Sequence, residues 1–237
     1  LLGFGDPGAP AVVAAFRTIA QQPAPDDGLT FDAASISAAQ IRGGQEYGGM
    51  RVKLNASLGK IRLPVQIDVG FGDAVTPAPI ELDFPVLLDA PAPRLRTYPR
   101  ETVVAEKLQA MVALGQVNSR MKDYYDIAVL ARLFEFDGSS LSAAFRATFD
   151  RRQTPIPVDV PVGLSDQFVA DPRKIAQWAA FTKREVLLHD VGDLGMVVGA
   201  VRGFVMSPLI AAAKSRSFSR RWKPGGPWRV QRKRPAP

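Results

Sequence analysis

The chain has 237 residues, enough for one large domain or two small ones, and its 46% apolar and 22% charged content is that of a globular protein rather than a disordered, collagen-like or coiled-coil one. With no cysteine and one histidine, His189, it excludes disulfides, thiolate zinc sites, iron–sulfur clusters and cysteine nucleophiles, and leaves metal chemistry to carboxylate oxygen, the ligand type of magnesium and manganese. The net charge of +7 is unevenly spread: residues 214–237 hold nine basic and no acidic side chains, so the remaining 21 basic and 23 acidic residues give the body −2.

In chain order, residues 9–22 predict a short helix of small and apolar residues, ended by the turn cluster at 23–28. Arg42-Gly43-Gly44 and Tyr47-Gly48-Gly49 read as turns before a strand, not as a Walker loop, because no Gly-Lys-Ser/Thr comes after them. Across 50–58 the even positions Met50, Val52, Leu54, Ala56 and Leu58 are apolar, and across 61–71 the odd positions Ile61, Leu63, Val65, Ile67, Val69 and Phe71 are. Period two in both runs predicts two half-buried strands, and Gly59-Lys60 between them suits a type II′ hairpin turn. Six prolines between 76 and 99 predict loop with one edge strand around 82–87. From Arg100 the pattern becomes helical, over 101–114, 121–134, 139–151, 172–183 and 190–213, with residues 155–161 as a stiff link.

Strands first and helices second predict an α+β fold, divided as 1–98, 99–213 and a basic tail 214–237 that turns at Pro224-Gly225-Gly226-Pro227. The apolar stretch 194–213 is interrupted by Arg202 and Pro208, so no membrane partner is expected, and the lack of a signal-peptide pattern predicts a cytoplasmic location. The basic tail favours phosphate-bearing partners without saying which, and a solvated extension is its plainer reading.

Three places could carry chemistry. Asp68 stands on the polar face of its strand, beside Gln66 and ahead of Gly70, Gly72 and Asp73. A sheet carboxylate with glycines that admit another group has the makings of a metal ligand or general base; a solvent-facing Asp is the alternative. Lys107 borders the apolar stripe Val104, Leu108, Met111 and Val112 of its helix, whereas Glu106 points away and Glu101 flanks the other side. A boundary lysine either reaches to water or presents its ammonium to a phosphate, while Glu101 suits the positive end of its helix.

The third place is Asn118-Ser119-Arg120-Met121-Lys122-Asp123-Tyr124-Tyr125-Asp126. Asp123 continues the apolar line Ile127, Leu130, Ala131 and Phe134, and Asp126 lines up with Leu130 and Leu133. Two ionised carboxylates on a buried face require a compensating cation, for which Lys122, Arg120, Lys107 and a metal are all candidates. A first helical turn enriched in Asp for dipole reasons is the plainer account. Taken with Asp68 and Lys107, the pair suits a magnesium–nucleotide site better than a hydrolase triad, because His189 has no evident serine partner and reads as structural.

These segments resemble the nucleotidyltransferase toxins of the AbiEii/AbiGii type. The similarity is carried by Val65-Gln66-Ile67-Asp68-Val69-Gly70-Phe71-Gly72-Asp73, by Tyr98-Pro99-Arg100-Glu101 leading to Ala105-Glu106-Lys107-Leu108-Gln109-Ala110, and by residues 118–127. Lesser matches are residues 148–152 and 222–228. The resemblance implies a polymerase-β-like nucleotidyltransferase sheet followed by a helical half, magnesium or manganese, and a nucleoside triphosphate substrate. It also implies a cognate antitoxin in a two-gene phage-defence system and an RNA acceptor, transfer RNA for some members. Carried over by residue, Asp68 would be an active-site carboxylate and metal ligand, Lys107 would contact the triphosphate, and Asp123 with Asp126 would complete the site. Lys122, Arg120 and Glu101 would stand beside the nucleotide.

The family's opening motif, a Gly-Ser or Gly-Gly turn and then an Asp-x-Asp pair, is not in this sequence, and residues 1–7 resemble the segment directly after that pair. Two-metal phosphoryl transfer needs several carboxylates, so the expectation is an N-terminally truncated chain that is inactive by itself. Two other readings stay open: a catalytically dead module that engages an antitoxin or RNA, and a DNA-binding accessory protein that depends on Arg232, Lys233 and Arg234 rather than on Asp68.

Overall fold

The computed structural model describes residues 1–24, 26–41, 49–87, 89 and 91–230. The turns expected at 42–48 and the basic residues Arg232, Lys233 and Arg234 lie outside the described residues. The fold is α+β, and the chain forms two compact units, Leu1–Asp73 and Ala74–Pro237, a division that falls well before the 98/99 boundary read from the sequence.

The first unit is a four-stranded sheet with one helix. Strands β1 (Leu2–Gly3), β2 (Leu29–Ile41), β3 (Gly49–Leu58) and β4 (Ile61–Phe71) lie in the order β1-β4-β3-β2, with β1 parallel to β4 and the others antiparallel. The expected hairpin is present: Leu58 pairs with Ile61, and φ is +57° at Gly59, while Lys60 is not among the positive-φ residues, as a II′ turn requires. Helix α1 (Ala9–Ala20) covers the sheet through Val12 and Phe16, which meet Ile36, Met50, Val52, Leu54 and Val69. A 12-residue helix is about 18 Å long, whereas an 11-residue strand runs about 36 Å, so the far end of the hairpin stays uncovered and Leu58, Ile61 and Leu63 are exposed.

Strand β2 was not legible in the sequence. Its register jumps from Asp32↔Asn55 to Ser37↔Lys53, so four residues on β2 face a single one on β3 and the alternation changes phase midway. Asp32 builds this bulge: its Oδ1 accepts from Ala34 N and Ser35 N, its carbonyl accepts from the Ser35 hydroxyl, and that hydroxyl accepts from Asn55 N at 2.9 Å.

The second unit begins with a ribbon of β5 (Ile80–Asp83) and β6 (Arg94–Thr97). The edge strand expected at 82–87 therefore sits earlier and has a partner, and it ends just before Pro85, which cannot donate to a ladder. Then come α2 (Arg100–Leu114), α3 (Met121–Leu133), α4 (Gly138–Arg151), α5 (Asp166–Ala170), α6 (Pro172–Arg184) and α7 (Leu194–Ala213). Side-chain caps set several starts: Asp137 for α4, Ser165 for α5, Asp171 for α6 with Pro172 at its first position, and Asp193 for α7. Helix α7 begins four residues later than its pattern predicts because Gly192 takes φ +82° and Asp193 accepts from Met196 N. His189 is accordingly in the loop before α7, half-buried, not deep in a helix, and its backbone N–H donates to the Tyr125 hydroxyl at 3.2 Å.

By length and composition α7 could cross a bilayer, with a mean hydropathy of 1.7. Here it is a core helix: Val197, Val201, Phe204, Val205 and Leu209 are fully buried against Leu141 and Phe145 of α4 and Ile127 of α3.

Residues 214–230 are more than a solvated tail. Strands β8 (Arg220–Trp222) and β9 (Trp228–Val230) form a hairpin that joins β7 (Phe136–Asp137) in a three-stranded sheet. Trp222 is buried and its indole N–H donates to Ala131 O at 2.6 Å, while that of Trp228 donates to Phe204 O at 2.8 Å. The expected turn at 224–227 closes the hairpin with positive φ at Gly225 and Gly226; a Cβ on Gly226 would lie 2.5 Å from the Trp222 ring. Trp222→Ala is expected to destabilise the protein by about 3–5 kcal/mol, the usual cost of emptying a buried Trp site, as measured by urea unfolding.

Candidate active site

The second unit brings Lys107, Arg120, Lys122, Asp123 and Asp126 into one ion cluster. Lys107, on α2, donates through Nζ to Asp123 Oδ1 at 2.8 Å and sits 2.7 Å from Asp126 Oδ2. Arg120 Nε lies 2.7 Å from Asp123 Oδ2, and Lys122 donates to both oxygens of Asp126, at 2.9 and 2.7 Å. The i,i+3 and i,i+4 spacings of these two pairs place each cation over its acid on the surface of α3.

The cluster is layered. Side-chain exposure is 5% for Asp123, 18% for Lys107 and 20% for Asp126, against 55% for Arg120 and 69% for Lys122. Burial by itself pulls the Lys107 pKa down, but the hydrogen bonds to Asp123 and Asp126 and the charges of those acids outweigh it, so the ammonium is held above the ordinary lysine value. Three cations against two carboxylates leave the group with one net positive charge. Glu101 does not join it: six residues before Lys107 it is rotated by about 240° and displaced by about 9 Å along the helix, and it is half-buried in the first turn of α2.

Helix α3 is held in place by a buried polar network that the sequence pattern did not single out. The side chain of Asn118, fully buried, accepts from Arg120 N at 2.9 Å and donates to the Tyr124 hydroxyl at 3.2 Å. That hydroxyl donates to Gly163 O at 3.0 Å, and burial pushes its pKa up. The Asn118 carbonyl accepts from Lys174 at 2.7 Å, a lysine 5% exposed that also donates to Gln177 Oε1 and lies 5.3 Å from the centre of the Phe168 ring. One signal was available: Lys174 shares the α6 stripe with Trp178 and Phe181, an unusual place for an ammonium. Between α3 and α6 lies a cleft of about 470 Å³ lined by Ser119, Arg120, Lys122, Asp123, Gln177 and Arg184.

Asp68 belongs to the first unit. It faces solvent on β4, directly opposite Arg51 on β3, and both of its oxygens accept from that guanidinium at 2.8 Å. The hydrogen bond from Arg51 is the main cause that lowers the Asp68 pKa. A divalent cation prefers carboxylates free of cationic partners, and this set does not fit one: Asp68 is spent on Arg51, and Asp123 and Asp126 on three cationic side chains. Among the described residues no three His, Asp or Glu side chains gather as a metal-binding group.

Comparison with known families gives a match over residues 1–193 to the model described as nucleotidyl transferase AbiEii toxin, type IV toxin–antitoxin system. The chain belongs to the AbiEii nucleotidyltransferase toxin family. An antitoxin partner and a nucleoside triphosphate substrate come with that membership. Among solved structures, a candidate nucleotidyltransferase from H. pylori aligns with 14% identity and a TM-score of 0.38, over 80% of this chain and 69% of that one. A comparison with curated proteins gives no match.

In this AbiEii-family chain, Lys107→Met leaves two partly buried carboxylates short of their shared cation and is expected to cost about 3 kcal/mol of stability, the range for breaking a buried pair. The folded ammonium titrates above its unfolded value of about 10.4, so its contribution is complete below that pH and is lost as pH rises through the folded value. In chemical unfolding, the gap between wild type and variant is expected to stay constant from about pH 7 to 9 and to close above about pH 10.5.

Proposed function

We propose that this chain supplies the triphosphate-binding part of a toxin reaction that moves a nucleotide from a nucleoside triphosphate onto an RNA acceptor in the cytoplasm, with transfer RNA the acceptor to test first, and that Lys107 faces the triphosphate. The observation that carries the reading is the state of the Lys107 ammonium. Two of its three donors go to Asp123 and Asp126, which fix its direction and keep it charged, and the third is left for an anionic oxygen. The net positive charge of the cluster favours a phosphate over a neutral ligand, and Arg120 and Lys122 on its outer layer add exposed donors.

In this reading Asp123 and Asp126 position the lysine, and an approaching phosphate exchanges water for a fixed, partly desolvated cation. The family's dependence on magnesium or manganese is a property to be measured, since Asp68, Asp123 and Asp126 are already paired. The sequence contains no Asp-x-Asp pair, and we infer that this chain binds a nucleoside triphosphate without transferring it. The full pairing of Asp68, Asp123 and Asp126 also favours a second reading, a module that engages an antitoxin or RNA without chemistry.

The test incubates the chain with each labelled nucleoside triphosphate and total RNA, with magnesium or manganese, beside Lys107→Ala. The expected outcome is triphosphate binding that Lys107→Ala weakens at least about tenfold, the worth of one charge-assisted hydrogen bond, with no label on RNA. Label transferred by the wild-type chain and lost in Lys107→Ala would support the transferase and remove the inference of inactivity. No binding of any triphosphate by the folded chain would overturn the role of Lys107 and leave the binding module.

A further inference from the structure

The β8–β9 hairpin lies beyond residues 1–193, the part matched by the family model. Its two faces differ sharply. Trp222 and Trp228, paired across the strands, turn inward and stack around Phe204, with ring centroids 4.9 and 5.8 Å from it. Arg221 and Arg229, also paired across the strands, occupy the other face, and Lys223 lies two residues beyond Arg221. All three are exposed, and residues 214–230 contain six basic and no acidic side chains.

Two arginines directly opposite each other in an antiparallel pair bring like charges to Cβ separations of about 5 Å, which is destabilising. The relief available within the protein is small. Glu135 lies 3.6 Å from Arg221 with both side chains 53% exposed, a surface pair of little worth. Asp137, next in the same cross-strand row, caps α4 by accepting from Ser140 N at 2.9 Å and from the Ser139 hydroxyl. No ion pair of Lys223 or Arg229 occurs among the described residues. The arrangement is nonetheless rigid, because two indole N–H groups and Gly225 N, which donates to Ala131 O at 3.0 Å, fasten the hairpin to the helical core. A fixed row of exposed cations, of which only Arg221 has a surface ion pair among the described residues, is complementary to a polymer that carries a phosphate at every residue. Such a ligand neutralises the repulsion without ordering the surface first.

We propose that the outer face of the β8–β9 hairpin binds the phosphate backbone of RNA, with Arg221, Lys223 and Arg229 as its phosphate contacts. The choice of RNA as the polyanion rests on the proposed RNA acceptor; the cationic face does not.

The test measures binding of the full chain to a fluorescent single-stranded RNA across a salt series. Three variants accompany it: R221A/K223A/R229A; R221K/R229K; and the charge-matched R17A/K60A/R62A on the first unit. Each phosphate contact contributes about 0.7 to the slope of log affinity against log salt, so three contacts are worth roughly 100-fold at 0.1 M salt. The expected result is a loss of that order and a slope smaller by about 2 for the hairpin triple variant. R221K/R229K and the charge-matched variant should bind like wild type. Equal weakening by the hairpin and charge-matched variants would overturn the proposal, as would competition by polyglutamate equal to that of RNA at matched charge. Triphosphate binding, read separately, reports on Lys107, so either reading can fail while the other stands.

Discussion

An ammonium that is largely removed from water must be matched in charge and in hydrogen bonds, and in the second unit Lys107 imposes that condition on its surroundings. It requires Asp123 and Asp126 to face inward from α3, which fixes how far α3 is rotated against α2. The rotation is then secured from behind, where Asn118, Tyr124 and Lys174 join the start of α3 to Gly163 and to α6 through hydrogen bonds made inside the protein. Arg120 and Lys122, nearer solvent, supply the remaining positive charge at small desolvation cost, since their side chains are more than half exposed. The hydrogen bonds of Asn118, Tyr124 and Lys174 tolerate few alternative packings of α3, which gives the cluster a defined geometry for a charged ligand.

The same charge logic has another result in the first unit. Alternation along β4 points Asp68 away from the core, as its sequence pattern indicates, but the residue opposite it on β3 is Arg51, and an exposed bidentate pair results from the register. A carboxylate with both oxygens on a guanidinium is a poor ligand for a cation. The three carboxylates expected to act alike thus divide by environment: one lies in a surface pair and two belong to a partly buried group that shares a lysine.

In the C-terminal segment, aromatic packing decides what a basic composition leaves undetermined. Lys214, Arg216, Arg220, Arg221, Lys223 and Arg229 in solution would be a flexible polycation. Interleaving Trp222 and Trp228 with three of these residues gives β8 and β9 one apolar and one cationic face, and the core of α7 and α3 takes the apolar face. The cations are left on a surface whose position is set by two indole hydrogen bonds.

The sequence by itself determined the elements with strong periodicity: the 50–71 hairpin with its Gly59 turn, α2, α3, α4 and α6, and the placement of Asp123 on a buried face. Each arises from spacing within one segment, where period 2 or 3.6 fixes which side chains share a face. It also carried the family, through the Glu-Lys and Lys-Asp-x-x-Asp segments. It did not determine β2, whose bulge breaks the alternation, or the start of α7, which Gly192 and Asp193 delay. Nor did it choose among Lys107, Lys122, Arg120 and a metal as the partner of the two acids, or show that Asp68 meets Arg51. Those were decided by tertiary structure, because a charge is compensated by whatever lies within about 4 Å in space, and residues 16 or 17 apart in the chain become such neighbours only after the helices and strands have packed.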